Sequence, residues 1–162
     1  MSGAASSSAI HVAAFDDLTP AQLYGILQLR VQVFTVEQDC AYQDLDGQDQ
    51  AAGTLQLWLE AAGGTIASTL RILERGDGRI IGRVATAEAF RGRGFSGQLI
   101  RHAIGLCAGH AIDISAQAHL QQWYEGFGFV RHGEEYLEDG IPHVAMRREA
   151  DAADAADAAE RA

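Results

Sequence analysis

The sequence contains no lysine and no asparagine. Without lysine the Walker phosphate loop is excluded, because that loop needs a Lys to reach the phosphates. Without asparagine most left-handed turns fall to glycine, of which there are 18. Both absences read as codon-composition bias and carry no mechanism. The only cysteines, Cys40 and Cys107, form no CxxC pair and no zinc spacing. That removes a disulfide framework and a structural zinc site and makes a reducing cytoplasm the expected compartment. No run approaches the ~18 apolar residues of a membrane span. Met1 to Ala9 has neither the basic start nor the apolar core of a secretory signal. Positive charge is scarce: 12 Arg face 22 Asp and Glu, for a net charge of -10. A general nucleic-acid binder would carry the opposite balance. Neither nucleic acid nor a membrane is an expected partner.

What remains is a globular chain. Its hydrophobic fraction is 48%, too high for a disordered one. A length of 162 residues suits one domain with a tail. Such a chain buries roughly two thirds of its unfolded surface and needs no disulfide staples. The expected organisation is a disordered leader over 1–9, one domain over 10–149, and a low-complexity tail over 150–162. The tail, ADAADAADAAERA, repeats its acids every third position and offers no apolar face beyond Ala.

Along the domain, Ile10 to Ala14 reads as a strand. Thr19, Pro20 and Gln22 form a capping-box start, with Leu18 and Leu23 placed for a hydrophobic staple. Leu23, Ile26, Leu27 and Val31 continue at helical spacing, which predicts a helix to about Phe34. Glu37 to Gln50 is a polar, acidic loop. Leu55 to Glu60, Thr65 to Leu73 and Arg79 to Thr86 read as successive antiparallel strands joined by short Gly turns. A Gly-rich loop, Arg91 to Gly97, then opens a helix carrying Leu99, Ile100, Ala103, Ile104 and Cys107 on one face. A short strand follows at Ile112 to Ala116. A second helix places Leu120, Trp123, Tyr124 and Phe127 together and stops at Gly128. Phe129 to Arg131 and Val144 to Arg147 read as closing strands. This order gives an α+β or mixed α/β sheet.

The loop RGRGFSG (Arg91 to Gly97) lies where a strand hands over to a helix. Backbone N–H groups at such a turn form an anion site, and Arg91, Arg93 and Arg101 add positive charge. The implied ligand is a phosphate or pyrophosphate; the competing reading is an ordinary surface loop. Gly92 to Gly97 also matches GxGxxG literally, with Asp113 near the spacing of a dinucleotide fold. Against that reading, Ala87 to Arg91 separate the strand from the first Gly. Asp113 sits inside its strand, and three antiparallel strands precede the loop.

The same loop, read as Arg91-x-x-Gly94-x-Ser96, resembles the acetyl-CoA loop of the GNAT superfamily of N-acetyltransferases, Gln/Arg-x-x-Gly-x-Gly/Ala. Ser96 stands where Gly or Ala is usual. Tyr124 to Phe129 (YEGFGF) resembles the family's YxxxGF segment. LRVQVFTVEQDCAYQDLDGQD (Leu29 to Asp49), AQAHLQQWYEGFGF (Ala116 to Phe129) and DGIPHVAM (Asp139 to Met146) resemble the ElaA-like branch. The resemblance spans about residues 18–148. It implies a GNAT-type α/β (α+β) fold: a central mixed, largely antiparallel sheet with a parallel splayed strand pair, flanked by helices. It also implies acetyl-CoA as co-substrate and direct attack by a primary amine. No metal is implied. The superfamily analogy allows a monomer or a homodimer.

On that resemblance, the backbone of Arg91, Gly92, Arg93, Gly94, Phe95, Ser96 and Gly97 would cradle the pyrophosphate. Val84, Ala85 and Thr86 would pair with the pantetheine arm, and their N–H groups would polarise the thioester oxygen. Tyr124 is the candidate acid for the leaving thiolate, since a phenol titrates near 10 and a thiol near 8.5; a core aromatic is the competing role. Glu37, His119 and His143 compete as general base, with hydrogen-bonded structural roles as the alternative for the histidines. If the amine binds neutral, no base is needed. Asp44, Asp46 and Asp49, with Arg30 and Phe34, are candidate acceptor contacts. The three carboxylates lack the terminal Glu of a calcium loop, and a solvated acidic loop is the plainer reading. Residues 71–101 carry seven Arg against three acids, and residues 16–50 seven acids against one Arg. The basic stretch suits the phosphates of CoA, and the acidic stretch a small cationic amine or a peptide amine. Three rivals stand beside this reading: a non-catalytic CoA-binding sensor of the same fold, a dinucleotide-binding module, and, on Arg30 and Phe34, a loose resemblance to acyl-homoserine-lactone synthases.

Overall fold

A computed structural model describes residues 9–151. Apart from Ala9, Ala150 and Asp151, the expected leader and tail lie outside the described residues. The strands are β1 (Ile10–Ala13), β2 (Leu55–Glu60), β3 (Ile66–Arg75), β4 (Gly78–Thr86), β5 (Ile112–Gln117), β6 (Val130–Arg131), β7 (Tyr136–Glu138) and β8 (Ile141–Arg148). They form one sheet in the order β1-β2-β3-β4-β5-β8-β6, with β7 also paired to β8. Only β4 and β5 run parallel; the other pairs are antiparallel. This is the mixed, largely antiparallel sheet that the family resemblance implies.

Helix α1 (Pro20–Arg30) starts on the expected capping box. Gln22 N donates to Thr19 Oγ1 at 3.2 Å, and Thr19 N donates to Gln22 Oε1 at 2.9 Å. The helix does not continue regularly to Phe34. Val31–Glu37 winds as a π turn, closed by Gln38 N donating to Val33 O. Val33 continues the helical spacing of the buried Ile26, Leu29 and Arg30 and is itself buried, while Val31, on the expected Leu23–Leu27 line, is exposed.

The sheet is covered on both sides. Helix α2 (Phe95–Leu106) packs Leu99, Ile100 and Ala103 against Leu57, Leu59, Leu70 and Ile72. Ile26, Leu29 and Val33 pack with Trp58, Ile66 and Ala85 in a second cluster. Strand β3 is therefore buried over eight successive residues, as a strand covered on both faces must be. Leu57, Leu59 and Leu70 have no exposed surface, and burial of each stabilises the fold by roughly 2 kcal/mol.

The second half departs from expectation in length. Helix α3 covers only Gln121–Glu125, after a tight turn at Ala118–Leu120. Strand β7 has no counterpart in the sequence reading. It reaches β8 through Asp139-Gly140, both at positive φ (49° and 78°), the two-residue hairpin for which Asp-Gly is favoured.

Two irregularities in β4 shape the centre of the molecule. Its pairing to β5 is confined to Arg79↔Ile112 and Ile80↔Asp113. Beyond Ile80 the two strands part, while β5 stays paired with β8 up to Gln117↔His143. On the other edge the register with β3 jumps from Arg71↔Gly82 to Thr69↔Ala85. Arg83 and Val84 therefore face the single residue Leu70, a β-bulge. Arg83 sits at φ 55°, a conformation L-residues other than Gly seldom adopt.

Candidate active site

The parting of β4 and β5 opens a cleft of about 510 Å³. Its walls bring Gly82, Arg83 and Val84 of β4 together with Ser115 and Gln117 of β5, Tyr124 of α3, and His143 of β8. The acidic loop and the π turn close one side with Phe34, Gln38, Cys40 and Tyr42, and β7 adds Glu138. A second groove of about 480 Å³ lies along α1. Its only ionisable wall residue is Glu60, so it lacks paired acid and base groups.

The Gly-rich loop opens α2 at the C-terminal end of β4. Gly92 and Gly94 have φ of 74° and 75°, and a Cβ on either would meet no atom within 4 Å. Glycine is thus required there by backbone conformation, and the space above it is open. Gly94 is the N-cap, and no side chain caps the helix. The first-turn N–H groups of an α-helix have no partner within the helix, so they are available to an anion. Arg93 lies over the Phe90 ring and Arg101 over the Phe127 ring; neither forms an ion pair with a carboxylate among the described residues. Arg91 is engaged differently. Its Nε donates to Thr86 O at 3.0 Å, and its Nη2 pairs with Glu37. Ser96, in place of the usual Gly or Ala, has a structural use. Its hydroxyl bonds that of Thr86, which bonds Ser68 Oγ at 2.8 Å, tying the loop to β4 and β3.

Tyr124 is 6% exposed and borders the cleft. Burial alone pushes its hydroxyl up to about 12, because a phenolate in an apolar surrounding is disfavoured. The group stays protonated across the neutral range. His143 is also buried. Its Nδ1 lies 2.7 Å from the Ile141 carbonyl, which can only accept, so Nδ1 carries the hydrogen. Nε2 is left for a second proton and lies 3.3 Å from Glu138 Oε2. Ser115 Oγ donates to that same Glu138 oxygen at 3.1 Å.

Other sequence candidates sit elsewhere. His119 is exposed on the turn before α3, and Glu37 is paired with Arg91; neither borders the cleft. Phe34 does, in a T-shaped contact with the Tyr42 ring. Arg30, Asp44 and Asp49 are a correction. Expected to contact an acceptor, they are 1%, 5% and 6% exposed and bonded to one another. Arg30 Nε donates to Asp44 Oδ2 at 2.9 Å and Nη1 to Asp49 Oδ1 at 2.7 Å. Asp49 also accepts from Arg71 and Gln56, and Asp46 accepts from Arg71 and Arg83. Burial alone would raise the Asp46 and Asp49 carboxyls; hydrogen bonds and charge from Arg71 and Arg30 hold both below the ordinary range. The acidic stretch therefore meets the basic stretch inside the protein. Three Asp face three Arg, and little of that negative charge is left for a ligand.

Four carboxylates without an Arg partner among the described residues cluster on and around β7, which the sequence reading gave no element. Glu134, Glu135, Glu138 and Asp139 are exposed, and none is ion-paired to an arginine among the described residues. The Asp-Gly turn was the signal that could have placed Glu138 on a hairpin beside His143.

Comparison with known proteins follows the same outline. The acetyltransferase (GNAT) domain family matches residues 16–150. A UPF0039 protein of Mycobacterium tuberculosis (strain ATCC 25618 / H37Rv) is 45% identical over 136 residues, 82% of this chain and 87% of its own. Protein ElaA of Escherichia coli (strain K12) is 42% identical over 140 residues, 82% of this chain and 91% of its own. Among solved structures, an acyl-CoA N-acyltransferase from Pseudomonas aeruginosa superposes with a TM-score of 0.83 at 41% identity, covering 88% of this chain and 99% of its own. E. coli ElaA gives 0.82 at 37% identity, with the same coverage. An aminoglycoside 6'-N-acetyltransferase complexed with coenzyme A shares the fold at 12% identity and a TM-score of 0.65, covering 86% of this chain and 96% of its own.

Proposed function

The chain belongs to the GNAT acetyltransferase family, in its ElaA-like branch, and is an acyltransferase; from that premise we propose that it moves the acetyl group of acetyl-CoA to a primary amine of a small cationic acceptor in the β4–β5 cleft. The residues present fit the donor. The open glycine positions at 92 and 94, the uncapped start of α2, and Arg93 and Arg101, which have no carboxylate partner among the described residues, suit its phosphates. The edge of β4 beyond Ile80, which β5 leaves uncovered, suits its amide-bearing arm. Backbone N–H groups around Val84 to Thr86 are the donors for the developing oxyanion. Acetyl-CoA supplies the activated thioester, and the amine displaces the thiolate directly.

Two side chains handle the protons. Tyr124 is the donor to the departing sulfur. A hydroxyl held near 12 is always protonated at neutral pH, and it recovers its proton from solvent after release. His143 receives the amine's proton on Nε2, and Glu138 stabilises the imidazolium as it forms. Glu37 and His119 have no such placement. The exposed carboxylates of 134–139 favour an acceptor bearing a further positive charge.

The observation that carries this reading is the convergence of Tyr124 and the His143–Glu138 pair on one cleft, next to the open Gly loop. The test is release of free CoA thiol from acetyl-CoA with a panel of polyamines, aminoglycosides, amino acids and peptide amines. Turnover is expected with at least one cationic amine. His143→Gln should lower kcat by about 10²-fold with acetyl-CoA affinity unchanged; equal kcat in the two proteins would remove His143 from the chemistry.

A further inference from the structure

Arg83 is an improbable residue for its backbone. It adopts φ 55° in the middle of a strand, although Gly, which takes that conformation freely, sits one position earlier at Gly82. The observed φ must therefore be held by the Arg83 side chain or its surroundings. The surroundings are specific. Arg83 Nε lies 2.7 Å from Asp44 Oδ1, a charge contact without hydrogen-bond geometry. Arg83 Nη2 donates to Asp44 O at 3.2 Å and to Asp46 Oδ2 at 3.3 Å. The guanidinium also stacks 5.2 Å from the Tyr42 ring centre, and Tyr42 donates its hydroxyl to Asp44 Oδ1 at 2.9 Å.

The partners are themselves fixed. Asp44 is anchored by the buried Arg30, and Asp46 by Arg71 of β3. Arg71 and Arg30 share Asp49. The side chain of Arg83 thus ends on a rigid frame that spans α1, the acidic loop and β3. Its backbone end is the bulge where Arg83 and Val84 oppose Leu70. A bulge leaves its extra residue outside the ladder, so this is where β4 can offer a backbone N–H to the cleft.

We propose that Asp44, Asp46 and Tyr42 act as a clamp on Arg83 that holds it in the left-handed conformation, making Arg83 a positioning residue for the backbone donors of β4. The acidic loop, which also walls the cleft through Tyr42 and Asp46, thereby serves the reaction through the backbone of β4. The clamp rests on the proposed role of β4 as oxyanion donor, and its first readout does not depend on turnover.

Arg83→Ala and Arg83→Gly separate the possibilities, because both delete the guanidinium but only Gly accepts the bulge conformation unaided. Amide hydrogen exchange over residues 81–87 is measured first, on the full chain. Arg83→Ala and Asp46→Ala should each raise exchange there by about tenfold or more relative to wild type. In the Arg83→Gly background, Asp46→Ala should add clearly less than it adds to wild type, since only its bonds to Arg71 remain to be lost. With an acceptor in hand, Arg83→Ala should lose at least about tenfold in kcat with the KM for acetyl-CoA little changed, and Arg83→Gly should recover most of that loss. Equal kcat losses in the Ala and Gly variants would overturn the clamp and assign the guanidinium to substrate. So would unchanged exchange in Arg83→Ala, or an additive effect of Asp46→Ala in the Gly background. Raised exchange with no turnover by the wild type on any amine would uphold the clamp while sinking the acetyl-transfer reading.

Discussion

Replacing Asp49 by Ala distinguishes an internal strut from a substrate contact. Asp49 accepts from Arg30 Nη1 (2.7 Å) and Nη2 (3.3 Å), Arg71 Nη1 (3.1 Å) and Gln56 Nε2 (2.8 Å). The donors belong to residues no more than 3% exposed, so bulk water compensates poorly for the lost carboxylate. Leaving two buried guanidiniums short of a partner costs about 3–5 kcal/mol, or roughly 10 °C in Tm for a chain of this length. Asp113→Ala is the control. It breaks a pair in which Arg147 Nη1 donates to both Asp113 oxygens, but both side chains are more than 40% exposed, and such pairs contribute about 0–1 kcal/mol. The Asp49 effect also has a pH signature. Its folded carboxyl lies below the ordinary range, so its stabilisation is complete above about pH 4 and is lost as pH falls through the folded value. Urea unfolding of wild type and variant at pH 7 and pH 3 is the assay, and the gap between them should narrow at the lower pH. A loss below about 1 kcal/mol at pH 7 would refute the buried network. Unchanged stability with a raised KM for the amine would return Asp49 to the acceptor site.

Other predictions follow from the cleft and the loop. Tyr124→Phe should keep the fold and acetyl-CoA binding while lowering kcat by about 10²-fold; unchanged kcat would remove the acid role. Because the Tyr124 hydroxyl is raised from 10.0 to about 12, its contribution to stability is complete below about pH 10 and is lost as pH rises toward 12. That amounts to about 3 kcal/mol, and Tyr124→Phe should show a correspondingly shallower alkaline loss in urea titrations. Gly94→Ala forces a side chain into φ 75°, which costs about 1 kcal/mol or more, and should weaken acetyl-CoA binding by calorimetry; wild-type affinity would place the phosphates elsewhere.

The elements with strong local signals were legible in the sequence. The capping box at Thr19, the Gly turns between β2, β3 and β4, and the loop before α2 all formed as the residue types dictate. Less visible were features set by packing across the chain. Helix α1 and its π turn offer two overlapping apolar lines, Leu23–Leu27–Val31 and Ile26–Leu29–Val33, and the sheet they meet decides that the second is buried. The three-residue β7 is too short for a period-two signal, and only Asp139-Gly140 marks it. With it went Glu138, the carboxylate beside His143. The left-handed Arg83 has no local signature, since its conformation depends on Asp44 and Asp46, some forty residues earlier in the chain. The charge map shows the same limit. Totals of opposite sign along the sequence suggested one region for each substrate, whereas folding pairs much of the acidic stretch with Arg30, Arg71, Arg83 and Arg91.

The most direct test of acetyl transfer in the β4–β5 cleft is mass spectrometry of a cationic diamine incubated with isotope-labelled acetyl-CoA and either wild type or Tyr124→Phe. The account predicts that the label appears as one acetyl group on the amine with wild type and at about one hundredth of that rate with the variant. An amine left unlabelled across the whole panel, in the presence of saturable acetyl-CoA binding, would contradict it.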